Sequence, residues 1–407
     1  MGSNLQEVTP SARRGTLAAS LAVLAVSTKL GLTSFGGPIA HLGYFHEEYV
    51  RRRKWMDERS YADLVALCQL LPGPASSQVG IGIGVARAGW LGGIAAWLGF
   101  TLPSVLALVA FAYCVQGYDI GNSGWIHGLQ LVAVAIVAHA VLGMGRQLAP
   151  DRSRATLAVL AAAVTLVWPT AYTQAMIIVA AGFAGWRLYR LEAPSEGATD
   201  LRIPIGRPFA VVCLVLFFVL LAGLPLLRGL SDARWLAMLD GFYRSGALVF
   251  GGGHVVLPLL ERVVVPAGWV SQADFSAGYG AAQAVPGPLF TFAAYLGTMA
   301  GGLGGAAIAV AGIFLPAFLL VVGALPFWNA LRGSPRVRGA LTGINAAVVG
   351  ILLAALYDPL WTTAVARPAD AAAAFLLFLL LFFWKLPPVA VVLAGAACGM
   401  LLGLLPG

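Results

Sequence analysis

Charged residues are scarce in this 407-residue chain, and its cysteines show no paired spacing. Asp, Glu, Lys and Arg together make up 10% of the residues, against about 25% in an average soluble protein. Each of the four cysteines stands alone in an apolar stretch, so neither a disulfide framework nor a zinc site is supported. The low charge excludes a soluble enzyme, a disordered tail and a coiled coil.

Apolar residues dominate instead, at 59% of the chain, and the mean hydropathy is +0.85. Segment 208–227 (PFAVVCLVLFFVLLAGLPLL) reaches the length of about 20 residues that a helix needs to cross a bilayer core. The 50 glycines and 23 prolines fit transmembrane helices, which tolerate both residues better than soluble helices do. The sequence therefore predicts an all-α polytopic protein of the inner (plasma) membrane, with the lipid bilayer as its surroundings.

The net charge of +8 suggests nucleic-acid binding at first sight, but the positions of the basic residues argue against it. They cluster at the ends of apolar segments, which is the pattern of cytoplasmic anchoring. Arg13 and Arg14 precede the first apolar run, and no A-x-A-like cleavage site follows. We expect an uncleaved first helix and no nucleic-acid partner.

An internal repeat is the most informative feature of the chain. Phe35-Gly36-Gly37 recurs as Phe250-Gly251-Gly252, about 215 residues later. Gln69-Leu-Leu-Pro72-Gly73-Pro74 recurs as Gln283-Ala-Val-Pro286-Gly287-Pro288 at nearly the same offset. Chance could supply the glycines in so glycine-rich a chain, but it would not readily supply Q-x-x-P-G-P twice in register. The sequence predicts two homologous halves, 1–190 and 234–407, joined by a linker and an unmatched helix in 191–233.

Charge also indicates how the halves are oriented. Residues 51–59 carry five basic side chains, whereas the matching loop 266–273 carries none. If both loops faced the cytoplasm, the second should also be basic. The unmatched span 208–227 makes the number of crossings between the halves odd, which predicts an inverted-topology repeat. The expected apolar segments are 16–34, 38–50, 61–86, 89–115, 128–146, 155–170, 173–190, 208–227, 234–250, 254–265, 275–299, 301–325, 337–357, 369–384 and 387–405.

Each Pro-Gly-Pro motif should break a helix at membrane depth. Proline removes a backbone donor and clashes with the preceding turn, yet it suits the first position of a new helix. Such breaks are tolerated only where they are buried in protein or line a cavity, and the new half-helix presents free N–H groups. Ser76, Ser77 and Gln78 in one first turn, and Thr291 in the other, make these starts candidate anion sites. The competing interpretation is a packing kink.

Two basic residues lie within apolar sequence at matched positions. Lys29 and Arg244 each stand six residues before their Phe-Gly-Gly motif. A cation at membrane depth is a functional candidate unless it reaches the interface by snorkelling. Lys29 has no acidic residue four positions away. We expect the two cations to converge and to balance a bound dianion.

The glycines of the two Phe-Gly-Gly motifs allow a tight turn or a close approach of backbones, although plain helix packing is equally compatible with them. His254 follows the second motif directly, and His41 lies four residues after the first. Gln69 and Gln283 stand immediately before the breaks and offer neutral donors to an oxyanion. A lone histidine is more often a structural donor than a titrating group.

Taken together, the segments KLGLTSFGGPIAHLGYFHEEYVRRRKWMDERSYADLVALCQLLPGPASSQ and LVFGGGHVVLPLLERVVVPAGWVSQADFSAGYGAAQAVPGPLFTFAAYLG resemble the two domains of the chromate ion transporter family. The second departs from the first by having Gly253 where the first has Pro38. The resemblance implies export of chromate driven by electrochemical gradients, with sulfate as the look-alike. It supports a substrate site formed by Lys29, Phe35, Gly36, Gly37, Gln69, Pro72, Gly73, Pro74, Ser76, Ser77, Arg244, Gly251, Gly252, His254, Gln283, Pro286, Gly287, Pro288 and Thr291.

We therefore expect a secondary transporter of a tetrahedral oxyanion, most simply chromate, with sulfate or another small anion as the alternative. A membrane-embedded enzyme would need a catalytic motif such as H-E-x-x-H or G-x-S-x-G, and none occurs. No cofactor and no metal are expected, and both a monomer and a homodimer remain open. Export of a dianion from a negative-inside cell needs no proton partner in principle; His254 and Glu261 are the alternatives if one exists.

Overall fold

The computed structural model describes residues 10–35, 37–117, 124–168, 173–189, 205–250, 253–328 and 334–403. These residues form helices and turns and contain no strand. The helices are α1 (Pro10–Thr33), α2 (Gly37–Phe45), α3 (Glu58–Leu70), α4 (Ala75–Gly117), α5 (Gly124–Leu148), α6 (Arg152–Val167), α7 (Thr173–Leu188), α8 (Arg207–Leu230), α9 (Arg234–Ala247), α10 (Val256–Val264), α11 (Gln272–Ala282), α12 (Phe292–Ala324), α13 (Pro335–Ala355), α14 (Pro368–Phe382) and α15 (Pro388–Leu402).

Short helices of other types join some of these elements. A π-helix (His46–Arg52) follows α2, and a second one (Leu356–Trp361) follows α13. Single 3₁₀ turns, Gly253–Val255 and Leu289–Thr291, precede α10 and α12.

Five helical stretches are long and apolar enough to cross a membrane: Ala75–Gln116, Gly124–Leu148, Arg207–Leu230, Leu289–Phe327 and Pro335–Ala364. Shorter apolar helices accompany them in both halves of the chain. Large apolar side chains lie exposed along α8, as expected where a helix faces lipid. The expectation of an all-α polytopic membrane protein is confirmed.

The sequence repeat is visible as a repeat of helix crossings. α1 packs closely on α4, with Gly31 against the backbone of Gly99 and Phe100. α9 packs in the same way on α12, with Gly246 against the backbone of Ile313. Because glycine has no Cβ, each pair of helix backbones can approach this closely.

Both long helices turn back on themselves at matching glycines. α4 leaves helical geometry at Gly89 (φ 66°, ψ −159°), and α12 does so at Gly302 (φ 62°, ψ −151°). Gly84 then lies against the carbonyl of Gly92 across the bend, so the chain reverses there. The first part of α4 is therefore a half-helix, which is distinct from the long span that follows it.

The Pro-Gly-Pro motifs form the tips of two helical hairpins. α3 ends at Leu70 and α4 begins at Ala75, so the first motif lies between them. Leu64 packs on Gly82, and these two residues are equally far in sequence from Gly73. The second motif joins α11 to the 3₁₀ turn before α12, and Gly278 packs on the ring of Tyr295 across that hairpin. Each half of the chain thus inserts one hairpin into the helix bundle.

Candidate functional site

The tips of the two hairpins each bind the opposite half of the chain. The backbone N–H of Gly73 donates to the carbonyl of Val249 at 2.7 Å, and the N–H of Gly287 donates to the carbonyl of Ser34 at 2.9 Å. Ser34 and Val249 are equivalent in the repeat, because each directly precedes a Phe-Gly-Gly motif. The tip of each half therefore contacts the Phe-Gly-Gly region of the other half, and the two contacts lie around a common centre.

Glycine is required at both tips. Gly73 has φ 119° and Gly287 has φ 98°, a region that residues with a Cβ rarely adopt. Gly73 also lies against Ala317, and Gly287 lies against Ser104 at the matching position. The Ser104 hydroxyl donates to the carbonyl of Pro286, which fixes the second tip to α4.

The segments after the Phe-Gly-Gly motifs meet at the same centre. Pro38 lies beside Gly253, its counterpart in the repeat. Phe35 and Phe250 are half-buried, and Gly37 begins α2 with φ 79°. Three glycines that the sequence places in this site, Gly36, Gly251 and Gly252, lie outside the described residues.

The start of α4 forms a buried polar surface behind the first tip. Ser76, Ser77 and Gln78 occupy its first turn, and each side chain is at most 2% exposed. Gln78 Nε2 donates to the carbonyl of Pro72 at 2.8 Å, which closes the turn of the tip. The Ser77 hydroxyl and Gln78 Oε1 have no hydrogen-bond partner.

Three further polar side chains of the first half are buried: His41 beside the first tip, and Ser34 and Thr101 on the segments that contact Gly287 of the second tip. His41 Nδ1 lies 3.3 Å from the Ser76 hydroxyl, and its ring meets the edge of Phe100. The His41 ring also forms a hydrogen bond with the backbone of Ser34, whereas the hydroxyls of Ser34 and Thr101 have no hydrogen-bond partner. A buried polar group without a partner costs about 1–3 kcal/mol, and natural proteins keep few of them outside functional positions. Ser34 and Thr101 were not apparent from the sequence, since only the fold brings them to this region.

The second tip is lined differently. In place of Ser76 and Gln78, the repeat has Phe290 and Phe292, and both rings are buried. Thr291, the counterpart of Ser77, donates its hydroxyl to the carbonyl of Pro288 at 2.7 Å. The first turn after this tip therefore offers no unpartnered side-chain donor.

Two other polar side chains lie on the α11 side of the second tip. His254 Nδ1 and the Tyr279 hydroxyl lie 2.5 Å apart and share a hydrogen bond. The side chain of Gln283 is hydrogen-bonded to the same Tyr279 hydroxyl. In the first hairpin, by contrast, Gln69 lies on the exposed face of α3, so it is not directed into the buried tip as the sequence suggested.

Lys29 is not the unpaired cation that the sequence suggested. Its Nζ binds Glu48 Oε2 at 3.1 Å, and its side chain is 53% exposed. Glu48 also accepts a hydrogen bond from Arg53 at 2.9 Å. Burial raises the pKa of Glu48, but the hydrogen bonds from Arg53 and Lys29 outweigh it and bring the pKa below its usual range.

Arg244 is paired as well, and more tightly. Its guanidinium binds Asp240 through two hydrogen bonds, at 2.8 and 2.6 Å, and Arg228 lies 3.5 Å from the same carboxylate. Asp240 is 0% exposed. The side-chain polar contacts described for Lys29 and Arg244 thus run to carboxylates rather than to the helix breaks, which corrects the expectation of two bare cations converging on a dianion.

The described ranges hold no group of three or more His, Cys, Asp or Glu side chains that could bind a metal ion. The chemistry available at the first tip is that of hydrogen-bond donors: hydroxyls, an imidazole and the N–H groups of a helix start. Such a surface can replace the hydration shell of an anion.

Comparison with known proteins agrees with this architecture. The family model described as chromate transporter matches residues 21–186 and again residues 236–400. A chromate transport protein of Pseudomonas aeruginosa is 28% identical over 388 residues, which is 92% of this chain and 90% of the relative. A chromate transport protein of Cupriavidus metallidurans is 28% identical over 382 residues, or 91% of this chain and 90% of the relative.

A third relative, a probable chromate transport protein of Synechococcus elongatus, is 27% identical over 348 residues and covers 81% of both chains. No solved structure matches the chain. The matched family describes transporters, and the long apolar helices make this a multi-pass protein of the plasma membrane. Since the family model covers both halves, with their Phe-Gly-Gly and Pro-Gly-Pro motifs, the chain belongs to the chromate transporter family.

Proposed function

We propose that this protein is a secondary transporter that exports chromate across the cytoplasmic membrane and so confers chromate resistance. The substrate rests on membership of the family and on three relatives named for chromate transport. The observation that carries the site is the group of buried, unpartnered polar side chains in the first half, at its own tip and where it receives the second tip.

Chromate fits this surface because it is a tetrahedral dianion with four oxygens that accept hydrogen bonds. The start of α4 supplies backbone N–H groups and the positive end of a helix dipole. Ser76, Ser77 and His41 supply further donors around it, and Ser34 and Thr101 are the additional candidates. Each hydrogen bond to a charged ligand is worth about 1.5–3 kcal/mol, so several of them can offset the loss of hydration.

The second half of the site is proposed to frame the anion rather than to bind it directly. Pro286, Gly287, Pro288 and Thr291 shape the second tip, and Gly287 holds Ser34 in place through its backbone hydrogen bond. The first tip is shaped in the same way by Pro72, Gly73 and Pro74. Phe35 and Gly37 complete the centre between the two tips. Of the earlier candidates, Gln69 has the least support, because its side chain lies on an exposed face.

Lys29 and Arg244 are proposed to act through their ion pairs. Lys29 ties α1 to the π-helix through Glu48, and Arg244 neutralises the buried Asp240. Both pairs lie about one and a half turns before the residues that receive the tips, Ser34 and Val249. They would set the position of those residues and the field around the site without contacting the anion.

We further propose that the halves 1–190 and 234–407 form an inverted-topology repeat, with 191–233 supplying the extra crossing. The exchanged contacts between tips and Phe-Gly-Gly segments support a two-fold relation. On one end of the molecule, the guanidinium groups of Arg187 and Arg336 both lie over the ring of Trp186. Ser153 and Tyr189 share a hydrogen bond in that region. This gathering of basic helix ends fits the cytoplasmic side.

Export is the favoured direction on energetic grounds. A dianion that leaves a negative-inside cell gains about 4–5 kcal/mol per 100 mV of membrane potential. Inverted repeats commonly alternate access by rocking one unit against the other around a central site. Sulfate, which has the same shape and charge, is the alternative substrate.

Chromate flux into inside-out proteoliposomes under a clamped potential tests this function. We expect uptake that rises with an interior-positive potential and that sulfate inhibits by competition. Protein-free vesicles supply the background. Absence of chromate flux, together with robust sulfate flux, would replace chromate by sulfate; absence of both would contradict the proposed function.

A further inference from the structure

Three polar residues of α11, together with Gln283 directly after its last residue, form a stripe along one face of that helix. Gln272, Ser276, Tyr279 and Gln283 follow one another at intervals of four, three and four residues, which places them in a row along a helix. Ser276 and Tyr279 are 0% exposed. The stripe extends from the start of α11 to the residues just before the second Pro-Gly-Pro tip.

The other faces of α11 are occupied by apolar packing. Gly280 lies against the backbone of Leu129 in α5, and Gly278 lies against Tyr295 in α12. The polar stripe faces α10 and the 3₁₀ turn before it. Two contacts establish this: Tyr279 binds His254, and Gln272 faces Glu261.

These two contacts are equivalent cross-links between α11 and the segment formed by α10 and the 3₁₀ turn before it. Together with Ser276 and Gln283 they form a row of polar groups between the two segments, which we call the seam. His254 and Glu261 are seven residues apart along one segment, and Gln272 and Tyr279 are seven apart along the other, which runs in the opposite direction. Gln272 donates to Glu261 and Gln283 donates to the Tyr279 hydroxyl, so that Ser276 stands between two hydrogen-bonded pairs as a buried hydroxyl without a partner. A polar group in this state marks a place where a water molecule can be held.

At the Glu261 end the seam meets a cavity of about 190 Å³. Glu261, Arg262 and Asp358 line it together with Gln174 and Thr165. Gln174 is only 1% exposed, and its Nε2 has no partner. The cavity is therefore polar and is large enough for several water molecules.

Glu261 is suited to exchange protons at this position. It lies one turn before the end of α10, outside the helices that are long enough to span a membrane. Burial raises its pKa to about 8; Arg262 and Gln272 oppose the rise and Asp358 adds to it. The carboxyl can thus be neutral or charged near neutral pH, whereas an exposed glutamate is always charged there.

We propose that Glu261 takes up protons from this cavity and that the α10–α11 seam conducts them to the second tip, which makes transport proton-coupled. This inference rests on the proposed function. In the first step a hydronium ion transfers one proton to the Glu261 carboxylate and leaves as water. The carboxylic acid then gives its proton to a water molecule held by Gln272 and Ser276. As the Tyr279 hydroxyl accepts a proton from that water it donates its own to His254 Nδ1, and His254 releases one from Nε2 to water at the second tip beside Gln283.

The first half has no such seam. The repeat places Glu58, Ala62, Val65 and Gln69 at the positions equivalent to the stripe. The alanine and valine interrupt the row of polar groups, so water could not be held along α3 in the same way. Nor does the seam suit the anion itself, because an ionised Glu261 would repel it. The two halves therefore have different roles: the first tip binds the anion, and the second receives the proton.

The test uses proteoliposomes loaded with a pH-sensitive dye, in which chromate flux and internal pH are recorded together. We expect wild-type chromate flux to move protons in a fixed ratio and to respond to an imposed pH gradient. Glu261→Gln should keep chromate-for-chromate exchange at equal pH on both sides but lose the proton signal and the response to the gradient. Glu47→Gln is the matched control, since Glu47 is the counterpart of Glu261 in the repeat and is exposed among arginines.

Each outcome decides the question. Chromate flux in the wild type with no proton movement would overturn proton coupling and leave the proposed function standing, whereas absence of chromate flux would overturn the function itself. Equal proton signals from wild type and Glu261→Gln would also contradict the proposal. If Glu261→Gln fails to fold in the membrane, Ser276→Ala and Tyr279→Phe are measured in the same assay. Retained exchange with a lost proton signal supports the seam, and any other pattern in both variants contradicts it.

Discussion

The two hairpin tips have nearly the same backbone and quite different linings. Each tip carries a left-handed glycine between two prolines, and each donates its N–H to the opposite half. Beyond the first tip lie Ser76, Ser77 and Gln78; beyond the second lie Phe290, Thr291 and Phe292. The comparison shows that the repeat preserves the framework of the centre, while the chemistry at each tip has diverged. A substrate that needs hydrogen-bond donors is therefore expected at the first tip.

The shared framework predicts the largest effect, which should be equal in both halves. Gly73→Ala and Gly287→Ala each place a Cβ on a backbone with positive φ and against a close neighbour, Ala317 or Ser104. We expect both variants to abolish chromate flux in proteoliposomes. Gly223→Ala, in an open position on α8, is the control and should transport normally. Normal transport by one of the tip variants would show that the framework is not shared.

The ion pairs should respond unequally. Arg244→Gln leaves the buried carboxylate of Asp240 with Arg228 as its ion-pair partner among the described residues, and breaking a buried pair costs about 3–5 kcal/mol. We expect reduced thermal stability and membrane abundance, rescued by adding Asp240→Asn. Lys29→Gln removes an ion pair whose lysine is largely exposed, which is worth about 1 kcal/mol or less.

Measured melting in detergent and abundance in membranes check this contrast. If Arg244→Gln is as stable as the parent protein but exports no chromate, Arg244 contacts the anion after all. Likewise, if Lys29→Gln is stable but exports no chromate, Lys29 contacts the anion.

The proton seam predicts a smaller effect that belongs to the second half. As pH at the cavity rises through about 8, Glu261 loses its proton, so proton-driven flux should fall over that range. Glu261→Gln should be flat across it, and Glu47→Gln should retain the parental profile. The measurement is initial chromate flux against pH with the potential clamped. An unchanged profile in Glu261→Gln would assign the titration to another group.

Much of the architecture could be predicted from the sequence because it depends on local signals. The apolar segments, the prolines and the repeated motifs place the helices and their breaks, and the structure has them at these positions. The Lys29–Glu48 pair could not be predicted, since its partners lie on separate helices, 19 residues apart. Asp240 stands four residues before Arg244 and could have been recognised as its partner from spacing alone.

The site itself was predictable only in part. Ser76, Ser77 and Gln78 follow directly from the motif, whereas Ser34 and Thr101 become candidates only through the crossing of α1 and α4. The polar stripe of α11 did carry a sequence signal, the spacing of four, three and four residues. It was missed because an apolar helix with scattered amides and hydroxyls resembles ordinary transmembrane sequence until its neighbour α10 is in place.

The central claim is that the anion is held by the polar first tip and not by its apolar counterpart. The direct measurement is the KM for chromate in proteoliposomes for Ser77→Ala and Thr291→Val, which each remove one hydroxyl at equivalent positions. We expect Ser77→Ala to raise the KM by about tenfold to a hundredfold, because it loses a hydrogen bond to a charged ligand. Thr291→Val should leave the KM within about twofold of the parent, since the Thr291 hydroxyl only binds Pro288. Equal effects of the two substitutions, or a larger effect of Thr291→Val, would contradict the assignment.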